Sequence, residues 1–70
     1  MEKKLVKIST EYITLGQLLK FLKIVGQGSE VKRYLAVNQV TVNGEDENRR
    51  GRKLRAGDVI SLLEGEFEIV

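Results

Sequence analysis

Cysteine, histidine, proline and tryptophan are all missing from this 70-residue chain. Without cysteine there is no disulfide, and without cysteine or histidine there is no ordinary zinc site, so neither staple can supplement a small core. The same two absences remove the commonest general base and nucleophile at neutral pH, which makes catalysis the weakest functional class. The acidic residues have no EF-hand spacing, and no glycine-rich loop ends in Lys-Ser or Lys-Thr, so neither a calcium loop nor a phosphate loop is expected. No apolar run approaches the roughly 20 residues needed to cross a bilayer. The start, "MEKKLVKIST", carries basic charge but no apolar stretch of the secretory kind. The expectation is a soluble, cytoplasmic, non-enzymatic protein without cofactor or membrane partner, and the lack of cysteine fits a reducing compartment.

What is present must therefore fold by packing. A chain of this length buries only roughly 60% of the surface exposed when unfolded, and its hydrophobic fraction of 41% is near the globular norm. Charge is plentiful and unevenly placed. Twelve Lys and Arg against ten Asp and Glu leave a net charge of +2, yet "ENRRGRKLRAGD" (Glu47 to Asp58) sets Arg49, Arg50, Arg52, Lys53 and Arg55 within seven positions. Glu45, Asp46 and Glu47 lie just upstream.

Periodicity divides the chain into one domain, residues 1–70, with no repeat or linker. "KKLVKIS" alternates like an edge strand, Val6 and Ile8 pointing one way and Leu5 and Lys7 the other. Thr14 followed by Gln17 is a capping-box pattern that opens a helix. Leu15, Leu18, Leu19, Leu22 and Val25 then recur at helical spacing, Lys20 and Lys23 fall off that stripe, and Gly26 suits the helix end. Ser29 suits the cap of a second helix, in which Val31, Tyr34 and Leu35 form the apolar side. At about 100° per residue, Lys32, Arg33 and Ala36 lie away from that side, and Asn38 suits a left-handed helix end. "VTVNGEDE" reads as a hairpin turning at Asn43-Gly44, where both positions favour positive φ. "AGD" (Ala56–Asp58) is a further turn, Val59–Leu63 an apolar strand, and "GEFEIV" a reversal followed by a last alternating strand.

These pieces in this order, "TLGQLLKFL", "GSEVKRYLAVNQVTVNG" and "KLRAGDVISL", resemble the S4 RNA-binding domain, also called the αL motif. The motif core covers about residues 13–63. With no catalytic domain attached, the chain is most similar to the small stand-alone bacterial S4-like proteins (YaaA/YbcJ type). The resemblance implies an α+β fold, two short helices packed on a small antiparallel β-sheet. It also implies an RNA-binding function, with ribosomal RNA or ribosomal particles as partner and ribosome assembly as the setting. The family commonly opens its first helix with Arg-Leu-Asp and enters the second with Ser-Arg-Ser. Here those places hold Thr14-Leu15-Gly16 and Gly28-Ser29, so two cations of the pattern are absent, while Lys32 and Arg33 match its basic pair.

The candidate RNA-binding residues are Ser29, Lys32, Arg33, Arg49, Arg50, Arg52 and Lys53. Arginine's planar fork matches phosphate oxygens and stacks on bases. Gly51 removes a side chain where a nucleic-acid backbone would approach. RNA is recognised largely by shape, phosphates and 2′-hydroxyls, which suits a curved basic surface. Backbone N–H groups early in the second helix, with Ser29, would add to it. The arginines would then replace the cations missing at Thr14 and Gly28, and the protein would bind as a monomer. The competing explanation of the charge run is a solvated segment paired with Glu45–Glu47. Two other functions compete: a dimeric DNA-binding β protein, suggested by a faint resemblance of "LRAGDVISLLEGEFEIV" to swapped-hairpin regulators, and a protein-interaction module using the acidic strand Glu64–Val70 for edge addition.

Overall fold

The computed structural model describes residues 3–70, so the first two residues of the expected domain lie outside the described residues. In chain order the elements are β1 (Lys3–Val6), β2 (Ile13–Thr14), α1 (Leu15–Phe21), α2 (Gly28–Val37), β3 (Thr41–Val42), β4 (Glu45–Asp46), β5 (Lys53–Leu54), β6 (Val59–Leu62) and β7 (Gly65–Ile69). Five strands form one sheet in the order β1-β7-β6-β3-β4, and β2 pairs with β5 in a separate ribbon.

The α+β class expected from the sequence holds, with one difference in the sheet. The hairpin-linked neighbours are antiparallel, but β1 runs parallel to β7, so the sheet is mixed. A parallel pair needs a long crossover, and nearly the whole chain, both helices included, lies between these two strands. The alternation read in β1 is present, with Val6 buried and Leu5 exposed. Leu15, Leu18 and Leu19 of α1 and Val31 and Leu35 of α2 pack with Val42, Leu54, Ile60, Phe67 and Ile69 in a single core.

Both helix ends differ from expectation. Helix α1 stops at Phe21, and Lys23, not Gly26, takes the left-handed conformation at φ 60°. Lys23 N–H donates to the Lys20 carbonyl and Ile24 N–H to that of Leu19, the two bonds of a Schellman motif. The early stop brings Ile24 and Val25 back onto the core, which local glycine preference does not register. Helix α2 is capped by Gln27 in an extended conformation without a side-chain cap bond, so Ser29 lies inside the first turn rather than at the cap. At its far end Asn38 is extended (φ −119°, ψ 142°) rather than left-handed. Its side-chain amide donates to the Tyr34 carbonyl instead, which lets the chain run straight on toward β3.

Candidate nucleic-acid interface

The arginine segment is fastened by its backbone to the start of α1. Helix starts carry N–H groups with no partner inside the helix. Here Leu15 N–H donates to the Arg52 carbonyl and Gly16 N–H to the Arg50 carbonyl, both at 2.9 Å. Gln17 N–H donates to the Thr14 hydroxyl and the Gln17 side chain accepts from Thr14 N–H, completing the expected capping box. Pairing of β2 with β5 sets Ile13 opposite Leu54 and Thr14 opposite Lys53, and Leu54 is fully buried beneath. Gly16 makes this contact possible: a Cβ there would sit 3.3 Å from Val31 Cγ1 and 3.4 Å from both the Arg50 Cβ and its carbonyl oxygen.

Within the segment, charge is divided between internal and outward roles. Glu47 is the one buried charged residue among those described. Its carboxylate accepts from the backbone N–H, Nε and Nη2 of Arg49 and from Nη1 of Arg52, at 2.9–3.1 Å. These bonds, those from the Arg49 side chain foremost, hold its pKa down from 4.5 to about 2 against the opposing effect of burial. The same pairing pushes the Arg49 guanidinium upward. Pairing with the upstream acidic run is thus real for Arg49 and Arg52. Arg49 nevertheless keeps 73% of its side-chain surface exposed, against 34% for Arg52.

Arg50 reaches toward both helices, and the cations after it lie along the segment. Arg50 shares one concavity with Lys32, Leu35, Ala36 and Asn48, and another with Thr14, Gly16, Gln17, Lys20, Gly28 and Val31. Beyond Gly51, the residues Arg49, Arg52, Lys53 and Arg55 line a third concavity. Of the residues singled out from sequence, Lys32, Arg49, Arg50, Arg52 and Lys53 therefore form a continuous surface, linked through Arg50 and Gly51. Arg33 and Ser29 are exposed, but these concavities do not include them. Arg33 lies about 100° round the helix from Lys32, opposite the buried Val31–Leu35 line. Lys20, which the sequence marks only as lying off an apolar stripe, joins Arg50 in the concavity between Thr14 and Gly28.

Asn43 does more than turn the chain. Asn43 and Gly44 have the expected positive φ, 54° and 85°. In addition the Asn43 amide donates to Asp58 and its oxygen accepts from Val59 N–H, while the second Asp58 oxygen accepts from Arg55 N–H. The "VNG" and "AGD" motifs are thus two halves of one lock that fixes where the arginine segment re-enters the sheet.

The acidic C-terminal strand has internal partners. Lys3 pairs with Glu68 at 3.0 Å, Ser61 donates to Glu66, and the Tyr34 hydroxyl donates to Glu64. Burial first, then that hydrogen bond and the Glu64 charge, push Tyr34 up from 10 to about 12. Because β7 is flanked by β1 and β6, it has no free edge, which overturns edge addition through this strand. Among the described residues no helix is long and apolar enough to cross a membrane, and no group of three or more His, Cys, Asp or Glu could hold a metal ion.

A family model described as S4 domain matches residues 6–70. The chain is also 46% identical over 66 residues to the probable ribosome maturation protein RlbA of Bacillus subtilis (strain 168), an alignment covering 93% of each chain.

Proposed function

The chain belongs to the S4 domain family, and from that premise we propose that it is a non-catalytic RNA-binding module that acts on structured ribosomal RNA during ribosome maturation. The observation that carries this reading is the gathering of Lys20 and Lys32 with the Arg49–Arg55 cations along one run of concavities that passes the start of α1. Arg50 and Lys20 occupy the concavity bounded by Thr14 and Gly28, the two places where the family pattern has cations and this sequence does not. They supply that charge from the hairpin side and from α1. Lys32, Arg50 and Lys53 are the phosphate contacts with no anionic partner among the ion pairs described. Arg49 and Arg52 contribute their outward faces while Glu47 keeps the loop in shape. Ser29 and Arg33 extend the surface only where the RNA curves over α2.

The named role of the 46% identical relative supports ribosome maturation as the setting, and a monomer in the cytoplasm, the whole chain forming one domain, is the form proposed to act there. Crosslinking in cells followed by sequencing of the bound RNA tests the assignment. Enrichment of ribosomal RNA, reduced in Arg50→Ala, is the expected result. Enrichment of duplex DNA over structured RNA at equal salt would instead favour the DNA-binding alternative.

A further inference from the structure

Four aromatic residues occur in the chain, and their uses differ. Phe67 is buried in the core and Tyr34 packs against it. Tyr12 and Phe21 are exposed, at 38% and 61%, and they line the same open cleft of about 670 Å³ with Thr10, Glu11, Ile13, Gln17 and Lys20. Neither ring is buried in the core, and both line one open space.

The charges around the cleft are sorted by position. Lys53 Nζ lies 5.0 Å and Arg55 Cζ 5.6 Å from the centre of the Tyr12 ring, within cation–π range. These two cations belong to the arginine segment, and Lys20 lines both this cleft and the concavity holding Arg50. Its lining combines the aromatic and aliphatic surface of Tyr12, Phe21 and Ile13 with one carboxylate, Glu11, and one cation, Lys20. With its two charges balanced, that lining favours a base over a phosphate, because the ring stacks on aromatic faces and its amino or imino N–H groups can donate to a carboxylate.

We propose that the Tyr12–Phe21 cleft holds a single unpaired base of the bound RNA, with the flanking phosphates on Lys20, Lys53 and Arg55. This rests on the RNA-binding reading and adds to it a preference for RNA with an extruded nucleotide beside the helix gripped by the basic surface. Aromatic stacking is sequence-tolerant, so the cleft selects an unpaired base rather than a particular one.

The test compares two short RNA duplexes at equal salt, identical except that one carries a single unpaired nucleotide labelled with a fluorescent purine analogue. The full chain should bind the bulged duplex about tenfold more tightly, and the analogue should be quenched on binding. Tyr12→Ala and Phe21→Ala should each remove most of that preference and the quenching while leaving affinity for the paired duplex unchanged, and Tyr12→Phe should retain both. Equal affinity for the two duplexes, or a Tyr12→Ala loss shared equally by both, overturns the base site. The second result would mean that Tyr12 merely positions Lys53 and Arg55, and a cleft indifferent to the unpaired nucleotide would suit a protein side chain instead. Arg50→Ala should weaken both duplexes. If neither duplex binds even at low salt, the RNA-binding reading fails, which is distinguishable from failure of the base site alone.

Discussion

Replacing Glu47 by glutamine would leave Arg49 and Arg52 without their shared anion in a place where the side chain is buried. Part of that interaction is screened because Arg49 is largely exposed, so the expected cost is about 2 kcal/mol rather than the larger value for a fully buried pair. The pH dependence follows in sign. The folded pKa is depressed from 4.5 to about 2, so between those values the unfolded chain binds a proton that the folded chain does not. The stabilisation is complete above about pH 4.5 and is lost as pH falls toward about 2. Urea unfolding across this range should show a steep acid limb that flattens in Glu47→Gln. Tyr34 acts in the opposite sense: its neutral form is favoured, so its contribution is complete below its ordinary value of 10 and is lost as pH rises through about 12. Absorbance titration should show one tyrosine ionising only near that upper value, and earlier in Glu64→Gln. From sequence, pairing between the acidic run and the arginines was available as an alternative. What it could not supply was which acid pairs, because that depends on Glu47 turning inward just after β4 while Glu45 and Asp46 remain exposed.

Helices and turns were legible in outline and misplaced at their ends. The Thr14–Gln17 capping box formed as read, because both partners are local to the first turn. The end of α1 did not follow glycine preference, because burying Ile24 and Val25 outweighs placing Lys23 in a left-handed conformation. Lys23→Gly should therefore raise stability by roughly 0.5 kcal/mol, the relief of left-handed strain being partly offset by glycine's freedom in the unfolded chain. Thermal unfolding would measure it. The Asn43–Asp58 lock makes a sharper prediction. Asn43→Gly keeps the positive φ and loses two hydrogen bonds, at a cost of about 1–2 kcal/mol. Asn43→Ala loses both the bonds and the conformation, and should cost at least about 1 kcal/mol more. The turn is legible in the sequence because Asn-Gly is a local signal. The lock is not, because Asn43 and Asp58 are 15 residues apart and meet only when β3 pairs with β6.

On the scale of the whole molecule, the fold explains how a chain with a net charge of only +2 can present a cationic face. Three acidic side chains are withdrawn from it: Glu68 pairs with Lys3 on β1, the sheet edge opposite β4, Glu64 bonds Tyr34 of α2, and Glu47 is buried against Arg49 and Arg52. The arginine segment is held against α1 by backbone hydrogen bonds from Leu15 and Gly16, leaving Arg50, Lys53 and Arg55 exposed. The sequence showed the concentration of charge and, through the S4 resemblance, its link to α2. It did not show Lys20 entering the same surface, which depends on β2 and β5 bringing residues about 40 apart together, nor Tyr12 and Phe21 sharing a cleft, which depends on how the chain turns from Thr10 into α1. The most direct test of the central claim is the salt dependence of affinity for a structured ribosomal RNA fragment, measured for the unaltered chain, Arg50→Ala and Lys3→Ala. With about four to six phosphates neutralised, the log–log slope should be roughly −0.7 to −0.9 per contact. Arg50→Ala should lose about one contact's worth of slope, and Lys3→Ala, paired with Glu68 on the far edge, should lose none. A slope near zero, or an Arg50→Ala slope equal to that of the unaltered chain, would contradict the account.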